Sequence, residues 1–428
     1  MRQGTSSTRL LFSAFAVIVF MVLVFLLSRP FAGWLFFNKG DEKGLLSAAK
    51  FDPENATYYY LLGRFYNLSI QSHDLKKAAE FYTRSLELNP LQAGVWIDLS
   101  KILQTAGKKE AAEYALERAI KLNPRDTALM WEAGTFWLIN GNTEKAVSML
   151  SQYLLLRPDK QTGVYDLCFK LGLTNDYLLE RVVPVSYEFR SAYLNYLLQT
   201  KRADEAVEIW NSLDKQKIEK DIFISYVNFL INNSMYEKAT SVWKDITSKI
   251  EGFEDTDEAF QLWNPGFENE IFNGGFDWTI NETEGVDVYI DDIVRMAGSR
   301  SLGVTFDGQH NPGIVIARQV VRARPSSLYH MRSYIKTEGL TTKNGILMNV
   351  QGHNCKGLGK NSAVVTGTTF WKEVTIDFEA PSECNAVLIS FIRERSSKLD
   401  NKIEGTAWID GITLKQDTNL PKIISEKP

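Results

Sequence analysis

Four histidines (His73, His310, His330 and His353) and three cysteines (Cys168, Cys355 and Cys384) are all this chain of 428 residues has for proton shuttling or soft-metal chemistry. They do not assemble into a recognisable reaction centre. No Gly-x-Ser-x-Gly elbow, phosphate-binding glycine loop or His-Glu-x-x-His helix accompanies them. His353-Asn354-Cys355 places a histidine beside a cysteine in sequence, but adjacent strand residues point to opposite faces. Acidic pairs such as Asp291-Asp292 could in principle flank a glycosidic bond, yet nothing separates them from ordinary surface charge. No catalytic residues are assigned, and the chain is expected not to be an enzyme. The chemistry that remains is recognition. In Leu328–Lys336, His330, Arg332, Tyr334 and Lys336 alternate with Tyr329, Met331, Ser333 and Ile335, so one face is wet and the other enters a core.

The elements around that strand fall into three regions. Composition is ordinary for a globular chain, with 44% hydrophobic and 23% charged residues. A net charge of −4 gives no reason to expect nucleic acid. The three cysteines are too few and scattered for a disulfide scaffold or a zinc site. Cys355 and Cys384 fall in the same later region, so a bridge between them is conceivable, with free buried thiols as the default expectation.

Leu10–Leu27 is an unbroken apolar run between Arg9 and Arg29, long enough to cross a bilayer as a helix. Phe31–Phe37 extends it with interfacial aromatics. No small-x-small site follows the run, which favours an uncleaved anchor over a signal peptide. Arginine and lysine counts on the two sides do not settle orientation. A short tail ahead of a single span is read as cytoplasmic, with the bulk of the chain in the periplasm of a bacterial inner membrane.

After the anchor the apolar spacing becomes helical. Pro90, Pro124 and Pro158 lie 34 residues apart. Each unit carries a first stripe (Trp96, Leu99, Leu103; then Met130, Ala133, Gly134, Trp137), a glycine turn at Gly107 or Gly141, and a second stripe (Ala112, Leu116, Ala119; then Ala146, Leu150, Tyr153). Tyr59, Leu62, Gly63, Tyr66, Ala78 and Tyr82 form an earlier unit. Gly44–Pro53 reads as the closing helix of a partial first unit. Ala206, Trp210, Tyr226, Ala239 and Trp243 mark two later units beyond an irregular joint near 160–186. This order of small and large positions resembles the tetratricopeptide repeat (TPR) family. The resemblance implies an all-α solenoid whose groove binds a protein partner.

From Asn264 the period changes to short β-prone runs: Val286–Ile290, Ser301–Phe306, Gly313–Val321, Leu328–Lys336, Gly345–Gln351, Trp371–Phe378, Ala386–Arg393 and Thr406–Leu414. Their spacing and turn residues predict a two-sheet antiparallel sandwich. Ordered landmarks, from Asn264–Asn269 and Gly275–Trp278 through Gly298–Phe306 and Phe370–Pro381 to Ala407–Leu414, resemble jelly-roll carbohydrate-binding modules of families 4 and 9. The resemblance implies glycan contact on the wet face, with His330, Arg332, Tyr334, Asn349, Gln351 and Arg393 as candidates. It also implies a structural calcium held by Glu268 and Asp410, and core positions for Trp278, Trp371 and Trp408.

The expected organisation is therefore multidomain: a short tail (1–9), a transmembrane helix with interfacial segment (10–37), an all-α TPR solenoid (41–250), a linker (251–263), an all-β jelly-roll sandwich (264–416) and a tail (417–428). The expected function is a membrane-anchored envelope scaffold binding protein through the groove and a polysaccharide through the sandwich, in surface polysaccharide synthesis or export. The alternative is a purely protein-binding scaffold whose sandwich binds no sugar.

Overall fold

The computed structural model describes residues 4–247, 262–399 and 401–417. Most of the linker 251–263 and of the tail 417–428, and the start of the tail 1–9, lie outside the described residues. The chain divides into two compact units, Met1–Phe189 and Arg190–Pro428.

The first unit opens with α1 (Gly4–Phe37), followed by α2 (Glu42–Phe51), α3 (Ala56–Leu68), α4 (Leu75–Leu88), α5 (Ala93–Thr105), α6 (Lys109–Leu122), α7 (Thr127–Ile139), α8 (Thr143–Leu156), α9 (Gln161–Lys170) and α10 (Asn175–Arg181). The starts are capped by short polar side chains. Asp41 accepts from the Gly44 amide, Asp74 from the Lys76 and Lys77 amides, and Asp126 from the Ala128 and Leu129 amides. Gly107 and Gly141 turn the hairpins at φ +73° and +81°, a conformation that disfavours other residues.

Small residues set the spacing of the paired helices. A Cβ at Gly63 would stand 2.3 Å from the Tyr82 ring, and one at Gly134 would stand 2.7 Å from Leu150. Buried hydroxyls cross the same seams: Ser85 Oγ donates to the Ala56 carbonyl and Ser100 Oγ to the Ala112 carbonyl, both at 2.8 Å. Each removes an otherwise unpaired polar group from the packed interior.

The sequence shows only a closing helix for the first repeat, at Gly44–Pro53. The missing partner is the end of α1. A Cβ at Gly33 would lie 3.1 Å from Asp52 Cβ and 3.3 Å from the Tyr58 ring. The Phe36 and Phe51 rings stack at 5.0 Å, and Arg29 Nε donates to the Phe51 carbonyl at 3.2 Å. The helix is apolar from Phe12 to Phe37, long enough to cross a membrane, and runs without a break into the repeat array.

The second unit holds most of α11 (Tyr187–Gln199), then α12 (Ala203–Ser212), α13 (Lys220–Asn232) and α14 (Tyr236–Thr247), followed among the described residues by ten strands. These are β1 (Thr279–Ile280), β2 (Val286–Asp291), β3 (Ser301–Asp307), β4 (Ile314–Arg322), β5 (Leu328–Leu340), β6 (Leu347–Gly352), β7 (Gly359–Asn361), β8 (Gly367–Glu379), β9 (Ala386–Arg393) and β10 (Glu404–Gln416). All eight anticipated runs form strands, and β1 and β7 add to them. They make two five-stranded antiparallel sheets, in the orders β1-β4-β9-β6-β7 and β2-β3-β10-β5-β8. Trp278, Phe267, Phe306, Phe378 and Phe391 fill the space between the sheets with Val, Ile and Met side chains.

Candidate functional site

The outward face of the β2-β3-β10-β5-β8 sheet carries the best-formed constellation. Strand register lines up one row across its whole width. Tyr289 on β2 pairs with Gly303 on β3, and Gly303 with Trp408 on β10. Trp408 in turn pairs with Lys336 on β5. Opposite Lys336, β8 bulges between Thr369 and Lys372, so Phe370 and Trp371 share that position. Tyr289 lies flat over the glycine, where a Cβ would meet its ring at 2.6 Å. The Lys336 ammonium sits 4.9 Å from the Trp408 ring centroid, and Trp408 Nε1 donates to Asp291 Oδ2 at 2.7 Å. Phe370 is 90% exposed.

This row corrects an expectation. Trp278 lies between the sheets, Trp408 is buried but on the outer side of its sheet, and Trp371 is only partly buried. Ala407 and Ile409 point inward, so the alternation turns Trp408 outward. Trp408 is only 7% exposed, with Lys336 over its ring and Asp291 on its indole nitrogen.

Beside the row stand three of the anticipated residues. Tyr334 Oη donates to Glu373 Oε2 at 2.9 Å, and the Arg332 guanidinium lies 5.6 Å from the Tyr334 centroid and 3.7 Å from the same carboxylate. His330 Nδ1 lies 2.5 Å from Asp377 Oδ1. The Glu373 hydrogen bond raises the Tyr334 phenol above its ordinary pKa. His330, Arg332 and Lys336 each have an acidic or aromatic neighbour. The strip is polar and aromatic, with carboxylates beside its cations.

The other three candidates lie elsewhere. Asn349 and Gln351 are on β6, in the opposite sheet, with Asn349 Nδ2 donating to Asn361 Oδ1 at 2.6 Å. Period-two alternation shows that a side chain points outward but not from which sheet. Arg393 does not reach the surface. It is 1% exposed and binds the Asn344 carbonyl (3.2 Å), Asn311 Oδ1 (2.9 Å), the Asn401 carbonyl (3.2 Å) and the Pro312 carbonyl. Burial lowers its pKa, and its work is to tie three loops together.

Glu268 and Asp410 do approach one another over Gly266. Glu268 accepts from the Ser299 amide at 2.9 Å and from Ser299 Oγ, and Asp410 Oδ2 accepts from the Met296 and Ala297 amides at 2.7 and 2.9 Å. Asp410 Oδ1 accepts from the Gly411 amide at 2.6 Å. Calcium requires six to eight oxygen ligands. Here two carboxylates face a ring of N–H donors, and the described residues hold no cluster of three or more metal-binding side chains. These side chains alone do not supply that number. The carboxylates clasp the 296–300 loop directly.

A second constellation joins α13 and α14 to the sandwich. Cys355 and Cys384 form a disulfide, so the default of free thiols does not hold for them. Cys168 is a buried free thiol, pushed up to about 12 by burial. The bridge closes the turn after β6. From that turn Asn354 Nδ2 donates to the Asn232 carbonyl and to Ser234 Oγ at 3.1 Å, capping the end of α13. Tyr236 Oη lies 2.9 Å from His353 Nδ1 and donates to the His353 carbonyl at 3.1 Å. Burial, then the charge of Arg318, lowers the His353 pKa. Farther along, a Cβ at Gly275 would stand 2.2 Å from the Trp243 ring, and the Gly275 amide donates to Asn228 Oδ1 at 2.8 Å. Asp277, which accepts from the Phe272 amide, is pushed up to about 7 by burial.

In the first unit, α3, α5 and α7 share a polar face. Tyr60 Oη donates to Asp98 Oδ2 at 3.3 Å and Lys101 pairs with Glu132 at 2.9 Å. A cavity of about 250 Å³ opens there, lined by Ile97, Lys101, Gln104, Glu132, Thr135 and Ile139 among others. Burial raises the Asp98 pKa.

Residues 97–160 match the family described as tetratricopeptide repeat. They span α6, α7 and α8 whole and most of α5, including the Gly134 seam. No curated protein matches the chain. Among solved structures, MamA shares 16% identity, with 54% of this chain and 99% of that one covered, at a TM-score of 0.28. A family 16 carbohydrate-binding module shares 18% identity over 36% of this chain and 98% of that one, at 0.26. TmCBM61, solved with β-1,4-galactotriose, shares 17% over 37% and 100%, also at 0.26.

Proposed function

We propose that this protein is a non-enzymatic, membrane-anchored envelope scaffold, whose repeat array holds a protein partner and whose sandwich contacts a glycan chain. The observation that carries the glycan reading is the Tyr289–Gly303–Trp408–Lys336–Phe370 row. Five strands set about 4.8 Å apart present it over roughly 19 Å, the length of a few linked sugars. The exposed Phe370 ring and the partly exposed Tyr289 ring are the faces open to sugar rings, Trp408 backs the row beneath Lys336, and Tyr334, Arg332 and Glu373 supply hydroxyl partners.

Two features support the location. Phe36, Phe37 and Gly33 pack on α2 and α3, so removing α1 would strip the first repeat of half its hairpin. That favours retention of the helix as an anchor. The Cys355–Cys384 bridge suits an oxidising compartment, as in a periplasm-facing protein. A role in synthesis or export of a surface polysaccharide follows from putting a glycan-contacting face on a membrane tether.

The reading in which the sandwich touches only protein is favoured by the docking of α13 and α14 on the Cys355 turn, which gives the sandwich a structural duty. Binding of the full chain to a panel of neutral and acidic polysaccharides separates the two. Saturable binding weakened by Tyr334→Ala with Phe370→Ala supports glycan contact. Absence of binding across the panel leaves the protein-only scaffold.

A further inference from the structure

The end of α1 does more than anchor. Its apolar stretch Phe12–Phe37 has 26 residues, about 39 Å of helix, against about 30 Å of hydrocarbon. About six residues therefore emerge into the headgroup layer, and these are the turns on which the first repeat is built. α2 runs back along them: Gly44 approaches the Phe36 carbonyl, while Asp52 reaches Gly33 and the Phe51 carbonyl reaches Arg29. The carboxy-terminal end of α2 is thereby returned to the level where α1 leaves the hydrocarbon. At that level Phe31, Trp34 and Leu35 on α1 and Phe51 on α2 expose between 42% and 59% of their surface. α3 then leads away again, since Leu68 and Ser69 border the same groove as Asn38 and Gly40 at the far end of the hairpin.

The geometry points to a lipid-docking role for the first repeat: Phe31, Trp34, Leu35 and Phe51 sit in the interfacial layer of the phospholipid bilayer that α1 spans. The inference rests on the anchor reading. Its driving force is burial of aromatic and aliphatic surface at the depth where Trp and Phe partition, with Arg29 and Lys50 placed to meet phosphate. The occupant is fixed by covalent continuity, because a helix crossing the bilayer cannot hold its own last turns away from the surface. The consequence is a repeat array that leaves the membrane at a set angle, without a flexible stalk.

Photo-crosslinking in phospholipid nanodiscs tests this with the full chain. Phe20, Phe51 and Ile70 are replaced one at a time by p-benzoylphenylalanine and lipid adducts are counted by mass spectrometry. Ile70 is the control for plain exposure, since it is 99% exposed and lies in the turn after α3. The expected result is strong adducts at 20 and 51, with at least about tenfold less at 70. Adducts at 20 alone would overturn the docking and keep the anchor. Equal yields at 51 and 70 would also overturn it. No adduct at 20 would overturn the anchor reading itself.

Discussion

Tyr236 and His353 are 117 residues apart in sequence and 2.9 Å apart between Oη and Nδ1. The bond joins the first turn of α14 to the disulfide-closed turn after β6, in one compact unit. Cys355→Ser with Cys384→Ser removes the bridge that closes this turn across 29 residues. The expected cost is about 3 kcal/mol of stability. Amide exchange should rise first at 352–355 and 231–236. Equal exchange there in both proteins would show that the bridge does not brace the joint.

The joint also titrates, through two groups of opposite sign. His353 has a lowered pKa, so its contribution is present above the ordinary histidine value of 6.5 and is lost as pH falls below it. Asp277 has a raised pKa, so its contribution is full below 3.8 and fades as pH rises through about 7. The two slopes oppose each other between those limits. Asp277→Asn should unmask the first, giving a melting temperature that climbs as pH rises toward 6.5. His353→Gln should unmask the second, giving one that declines toward pH 7. Parallel pH profiles for wild type and both variants would contradict this.

Gly63 is a seam residue, with the Tyr82 ring where a side chain would start. Gly63→Ala should destabilise the first unit by about 2 kcal/mol through overpacking, despite the better helix propensity of alanine. Gly94, at the start of α5, has nothing within reach of a Cβ. Gly94→Ala should be neutral or mildly stabilising, and denaturant titration compares the two.

Asp410 clasps three backbone amides and is fully buried. Asp410→Ala should cost about 3 kcal/mol because those donors lose their partner. Calcium or a chelator should leave the melting temperature of the wild type unchanged. A calcium-dependent rise in melting temperature that disappears in Asp410→Ala would restore the metal site.

Much of this was legible in the sequence. Helical spacing and glycine turns located the repeats, and short alternating runs located both sheets. The first repeat was only half legible. The last turns of α1 pack on α2 and continue an apolar run long enough to cross a membrane, and hydropathy does not distinguish a lipid neighbour from a helical one. Among the site residues, Tyr289 was readable from parity, since Val286 and Val288 point inward and leave it outside. The outward direction of Trp408 is readable in the same way, from inward Ala407 and Ile409, whereas its burial there depends on Lys336 and Asp291 from other strands. The Arg393 expectation failed because an arginine at a strand end looks the same in sequence whether it faces water or satisfies three loops. Which candidates share a sheet depends on strand order, which no local pattern encodes.

The most direct test of the glycan-contacting scaffold is calorimetric titration of the full chain with oligosaccharides from the polysaccharides it binds in a panel. Tyr334→Ala with Phe370→Ala is the variant to compare, both residues being surface positions on the strip. The account predicts saturable binding by the wild type and at least about tenfold weaker binding by the variant, with an unchanged melting temperature. Binding that survives the double substitution, or no binding to any polysaccharide tested, would contradict it.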